Sequence, residues 1–177
     1  MFWKFAADWV ATKHQRLYHQ LQRSVHCFAA CRPLLTLHLP AWYEWFPASA
    51  IYFPSSSITF DAGDSVTLSV TATSNTTGTA TIKNNSKNQQ VTHTLSTTHA
   101  LCGMHAEWIV EDFVENGAPV PLVDWGTVTF TNAYATAPNG TTYGADKAAL
   151  GNIWQDEHFV TRSSSTSTNS VTISYVG

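Results

Sequence analysis

The chain has 177 residues and 19.5 kDa, with 12% charged and 44% hydrophobic residues, enough for one domain with a real core and too little for two. Low charge at ordinary hydrophobicity excludes a disordered tail, and no apolar run reaches the roughly 18–20 residues of a membrane-spanning helix. The net charge of −3 is uneven: residues 1–40 hold five of the nine Lys and Arg and only Asp8 of the twelve acids, leaving an acidic remainder with no basic stripe for nucleic acid.

In chain order, the first segment has its own grammar. Phe2, Phe5 and Trp9, then Leu17, Leu21, Val25 and Phe28, recur at three- and four-residue intervals with Lys13, Arg16 and Arg23 between them. That period predicts an amphipathic helix ending near Pro33. Lys4 and Asp8 interrupt its opening, so no secretory signal is visible. His26, Cys27 and Cys31 have a spacing that could place metal ligands on one helix, but no second cluster completes a tetrahedral site, and no metal or cofactor is expected. His14 and His19 read the same way.

After Pro40 the period becomes two. SITF (57–60), SVTLSVTAT (65–73), GTATIKN (78–84), QVTHTLS (90–96), AEWIVEDF (106–113), GTVTFTN (126–132) and SVTISYV (170–176) alternate apolar and β-branched residues with Thr, Ser and charges. Turn clusters such as DAGD (61–64), SNTTG (74–78), NNSKN (84–88), ENGAP (115–119) and APNG (137–140) separate them. Short strands at regular spacing predict an all-β, antiparallel β-sandwich over residues 41–177, preceded by an atypical, helical segment over 1–40. Val66, Leu68 and Val70 fall on one face of their strand, and Thr67, Ser69 and Thr71 on the other.

Two segments put carboxylates among rings. In AWYEWFP (41–47), Trp42, Glu44 and Phe46 share one strand face, and Tyr43 and Trp45 take the other. In HAEWIVEDF (105–113), Glu107, Ile109 and Glu111 share a face, opposite Trp108, Val110 and Asp112. A rise of about 3.3 Å per residue separates Glu107 from Glu111 by about 13 Å, so any partner for either must come from another strand. Carboxylates on such apolar strands either face solvent, pair with cations, or are kept for chemistry. His105 and His158 are isolated histidines, and such residues are more often bystanders than participants.

These residues carry a resemblance. AEWIVEDF, after Leu101-Cys102 and before VPLVDWGTVTFTNA (120–133), is similar to the signature region of the eqolisins, fungal glutamic endopeptidases active in acid and insensitive to pepstatin. AWYEWFP resembles their second signature, and the similarity runs through residues 63–82 to the terminal SVTISYV.

The resemblance implies a sandwich of the concanavalin A-like or jelly-roll kind, one sheet curved into a substrate groove, and a catalytic Glu–Gln pair. It identifies Glu111 as general base and then proton donor, Glu44 and Glu107 as neighbours of the active centre, and Trp42 and Trp45 as groove or core aromatics. It further implies protein or peptide substrates, secretion, and a monomer.

The family's glutamine stands in an I-L-Q-T-G-V-D run upstream of the AWYEW motif. Here the nearest match is Leu21-Gln22-Arg23-Ser24-Val25, which keeps the Leu-Gln and the Val and loses the Thr, Gly and Asp, making Gln22 the candidate oxyanion donor. The family also pairs the counterpart of Cys102 with a cysteine just before its glutamine, and that upstream position is not Cys here. Three readings therefore stay open: an acid endopeptidase, a sandwich that binds peptides or glycans without cutting them, and a fragment whose open sheet edges associate with other chains. Sequons at Asn75, Asn84 and Asn139 accord with a secreted surface.

Overall fold

The computed structural model describes residues 2–9, 25–31, 41–61, 63–101, 105–111, 114–115, 118–119, 122 and 124–177. They fall into two compact units, one comprising the described residues up to Glu107 except Trp9, the other Trp108–Gly177 with Trp9.

The first unit contains β1 (Phe2–Trp9), β2 (Val25–Cys31), β3 (Ala41–Trp45), β4 (Ile51–Tyr52), β5 (Val66–Ala72), β6 (Thr77–Asn84), β7 (Gln89–Ser96) and the start of β8 (His105–Val110). Two antiparallel ladders organise it. In one sheet the order is β4-β3-β2-β1-β8, with Val25 opposite Trp45 and Ala29 opposite Ala41. The other is the meander β5-β6-β7, in which Leu68, Ile82 and Val91 form one row and Val70, Ala80 and His93 the next.

The core lies between the inner faces of these ladders. Ala41, Tyr43 and Trp45 of β3 cluster with Ala80 and Ile82 of β6 and Leu95 of β7, joined by Phe53, Ile58 and Phe60. Each large side chain buried in this way contributes about 1.5–3 kcal/mol. β6 is the central strand and carries small residues: a Cβ on Gly78 would sit 2.7 Å from the Thr71 carbonyl oxygen, so only glycine allows the β5–β6 ladder to close there.

The inner row of β6 ends on a polar residue. Asn84 is fully buried; its Nδ2 donates to the Thr59 carbonyl (2.8 Å) and the Asp64 carboxylate (2.6 Å), and its Oδ1 accepts from the Lys87 amide (3.1 Å). Lys87 Nζ pairs with Asp61 at 2.8 Å and with Asp64 at 3.6 Å. The backbone N–H of Asp61, the Asn84 amide and Lys87 together hold the Asp64 carboxyl below its ordinary value.

The second unit contains the rest of β8, then β9 (Val114–Glu115), β10 (Ala118–Pro119), β11 (Thr127–Thr131), β12 (Tyr134–Thr136), β13 (Thr142–Gly144), β14 (Trp154–Gln155), β15 (His158–Phe159), β16 (Thr161–Ser167) and β17 (Ser170–Tyr175). Its main ladder is β11-β17-β16, flanked by the hairpins β12–β13 and β14–β15. Alternation again sorts the faces. Val128, Phe130, Val171 and Ile173 pack with Val110, Trp125 and Ala133, while Thr127 and Thr129 bond Ser174 and Thr172 on the outer face.

The fold class is all-β with antiparallel sheets, as the period-two pattern predicts. Two local expectations fail. Phe2–Trp9 and Val25–Cys31 are strands, not turns of a helix, and residues 10–24 and 32–40 lie outside the described residues. β2 pairs along the whole of β3, and satisfying that ladder outweighs the local helical spacing of a few apolar residues. On a strand, Cys27 and Cys31 are four residue rises apart, about 13 Å, which removes the shared-ligand reading that a helix would allow. SITF is not a strand either: Thr59 N–H donates to the Gln89 side chain, although Ile58 and Phe60 still bury their side chains.

Replacing Asn84 by Ala leaves the Thr59 carbonyl and the Lys87 amide without their buried partner, and an expected loss of about 2–4 kcal/mol is readable by urea denaturation. Because the folded Asp64 carboxyl sits below its unfolded value, its contribution is complete above the ordinary carboxylate range and is lost as pH falls through the folded value. Asp64→Asn should therefore flatten the acid limb of a stability-versus-pH curve.

Candidate active site

Alternation along β3 divides its aromatic residues. Ala41, Tyr43 and Trp45 are buried, and Trp42 and Glu44 are half-buried on the opposite face, where Trp42 stands between Phe28 and Tyr52 in the ladder and Glu44 opposite His26. The Trp45 indole donates from Nε1 to the His99 carbonyl at 2.9 Å, so this ring is a core anchor that ties β3 to the segment after β7. Tyr43 stacks on the His93 ring at 4.4 Å and tilts against Phe53 at 4.9 Å, and burial raises its hydroxyl pKa. Beside them is a concavity of about 260 Å³ lined by Tyr43, Glu44, Trp45, Ile51, His93 and Leu95, among others.

Glu107 lies on β8, half-buried. The sheet order places β2 and β1 between β3 and β8, so Glu44 and Glu107 are three strand spacings apart, about 14 Å, and do not form a carboxylate dyad.

Glu111 follows β8 directly and is half-buried. Val110, the residue before it, is buried in the second unit's core and Trp108 packs against that core, so the preceding strand is held from one side. A residue next to a rigidly packed strand end is held more precisely than one on a free loop.

Gln22 and Cys102 lie outside the described residues. His105 is exposed, and so is His158, whose Nδ1 is 3.0 Å from the Asp156 carbonyl oxygen. Among the described residues no group of three or more His, Cys, Asp or Glu is arranged to hold a metal ion. His93 is the residue that sequence reading missed. It sits in an alternating Thr/Val strand on the same face as Val91 and Leu95, and a titratable ring in that row was the available signal.

Residues 36–175 match the Peptidase A4 family. The chain belongs to this family. It is 46% identical to aspergillopepsin-2 of Aspergillus niger over 138 residues, which is 77% of this chain and 48% of that protein. It is 37% identical to scytalidopepsin B of Scytalidium lignicola over 145 residues, 77% of this chain and 54% of that protein. It thus spans about half the length of these curated relatives.

Among solved structures it is similar to aspergilloglutamic peptidase from Aspergillus niger, at 44% identity with a TM-score of 0.74, covering 82% of this chain and 85% of that one. Scytalido-glutamic peptidase in complex with a transition state analog inhibitor matches at 32% identity and a TM-score of 0.67, covering 78% of this chain and 70% of that one. The antiparallel strands of this A4-family chain thus follow the fold of glutamic peptidases.

Trp45→Phe keeps an aromatic ring in this core but removes the hydrogen bond to His99 and part of the buried indole. A loss of about 2–3 kcal/mol, the hydrogen bond and the cavity together, is expected by chemical denaturation, with the same urea dependence as the parent protein.

Proposed function

We propose that this A4-family chain is an acid endopeptidase of the glutamic type, acting on proteins or peptides. The observation that carries the reading is the family match through residues 36–175, which includes both AWYEW and AEWIVE. Supporting it, Glu111 of AEWIVE directly follows a strand whose Trp108 and Val110 belong to a packed core.

In this mechanism the Glu111 carboxylate takes a proton from a water molecule as the water oxygen attacks the scissile carbonyl carbon. The same carboxyl then gives that proton to the departing amide nitrogen as the carbon–nitrogen bond breaks. A glutamine amide, assigned here to Gln22, donates to the oxyanion of the tetrahedral intermediate. Trp42, Glu44 and Glu107 support the substrate face, and Trp45 supports it from within the core. No covalent acyl-enzyme and no metal-bound water are needed for this sequence of proton transfers. The acidic body of residues 41–177 gives no surface for nucleic acid, and the family resemblance supports an extracellular monomer.

A second reading has its own observation. The I-L-Q-T-G-V-D run does not precede AWYEW here, and a sandwich without a working glutamine binds peptides without cutting them.

The deciding measurement is cleavage of an unstructured peptide by purified, folded protein at about pH 2–4, the range where one carboxyl can serve as both base and acid. Cleavage that persists with pepstatin and falls by about 10²–10⁴-fold in kcat/KM for Glu111→Gln is the expected result. Binding of the peptide without any cleavage favours the second reading. Unchanged activity in Gln22→Ala rejects that residue as the oxyanion donor while leaving the role of Glu111 intact.

A further inference from the structure

The three sequons are alike in sequence and unlike in the fold. Asn84 is fully buried, and its Nδ2 donates to Thr59 and Asp64. An N-linked sugar replaces a hydrogen on that same nitrogen, so a glycan at Asn84 must break one of these bonds and find room where there is none.

Asn75 and Asn139 are exposed. Asn75 lies in the β5–β6 loop on a pinned backbone: its carbonyl accepts from Leu101 N–H at 2.7 Å, the next carbonyl accepts from Thr97 N–H at 3.0 Å, and Ser74 Oγ accepts from the Thr76 and Thr77 amides. Asn139 is at the tip of the β12–β13 hairpin, where its Oδ1 accepts from Thr141 N–H at 3.0 Å and Gly140 takes a φ of +83°. Both side chains stand on closed turns that an attached sugar does not have to open.

We propose that Asn75 and Asn139 are N-glycosylation sites and that the Asn84 sequon is a structural hydrogen-bonding residue that stays bare in the folded protein. The inference rests on the extracellular reading above, because the donor is a polyprenyl-diphosphate-linked oligosaccharide met on the secretory route. In the transfer the anomeric carbon–phosphate oxygen bond breaks, a bond from that carbon to the asparagine Nδ2 forms, and Nδ2 loses one proton to a base. Transfer occurs on the unfolded chain, which offers all three sequons. Folding then discriminates, since a sugar at Asn84 prevents the 59–64 segment from closing on β6, whereas sugars at the two tips do not interfere.

The test expresses the full chain behind a supplied secretion leader in a eukaryotic cell and isolates the folded, secreted fraction. Amidase release of glycans in heavy-oxygen water converts each glycan-bearing Asn to labelled Asp, read by peptide mass. Label at 75 and 139 and none at 84 is the expected outcome. Asn75→Gln and Asn139→Gln should each remove one glycan from the intact mass, and Ser86→Ala, which destroys the third sequon while keeping Asn84, should leave it unchanged. A glycan on Asn84 in the folded fraction overturns the proposal, as does the absence of label at both tips; label at one tip alone overturns the assignment of the other. Occupancy is read equally on Glu111→Gln protein, so loss of the peptidase reading does not alter the result. The extracellular reading is tested separately, by looking for the protein in the culture medium of its own source.

Discussion

Two large rings two residues apart on a five-residue strand govern the first unit. Tyr43 and Trp45 must both leave water, and an extended backbone sends them to the same side. On the strand opposite the rings meet a small residue, Ala80, and Phe53, Ile58 and Phe60 are drawn in from the irregular segment after β4. The same alternation puts Trp42 and Glu44 on the other face and leaves them half-buried. The partial exposure of the carboxylate is therefore a consequence of core packing.

Carboxylates in this protein sit in different surroundings. Asp64 accepts from a backbone amide and from the Asn84 side chain and lies near a lysine, all of which favour its charged form. It closes the polar end of the β5-β6-β7 meander, where a buried asparagine replaces the apolar residue that the pattern would otherwise continue. Glu111 directly follows a strand whose Val110 is buried in the second core and whose Trp108 packs against it.

The N-terminal segment shows where sequence pattern misleads. Phe2, Phe5 and Trp9 have helical spacing, but a period carried by a few residues says nothing about a neighbouring strand's open hydrogen-bonding edge, and β2 and β1 continue the sheet beside β3. SITF erred in the opposite direction: its alternation correctly marked Ile58 and Phe60 for burial, while its backbone amide bonds to a side chain from β7. For Gln22 the sequence supplied only a Leu-Gln pair and a Val, too little of the family's run to carry a geometry.

What the amino-acid order determined by itself is the β class, the inward and outward sets on strands such as SVTLSVTAT, and, through two long motifs, membership of a glutamic peptidase family. These are legible because side-chain alternation is a local property of an extended chain and because motif residues keep their spacing. Tertiary structure alone decided which of three identical sequon types is buried, that Trp45 is tied to His99 within the core, that a histidine stacks on Tyr43 beside Glu44, and that a helix-spaced segment joins a sheet. Each of those depends on a partner many positions away, and pairing between distant strands is fixed by the packing of whole faces, which no local window of sequence contains.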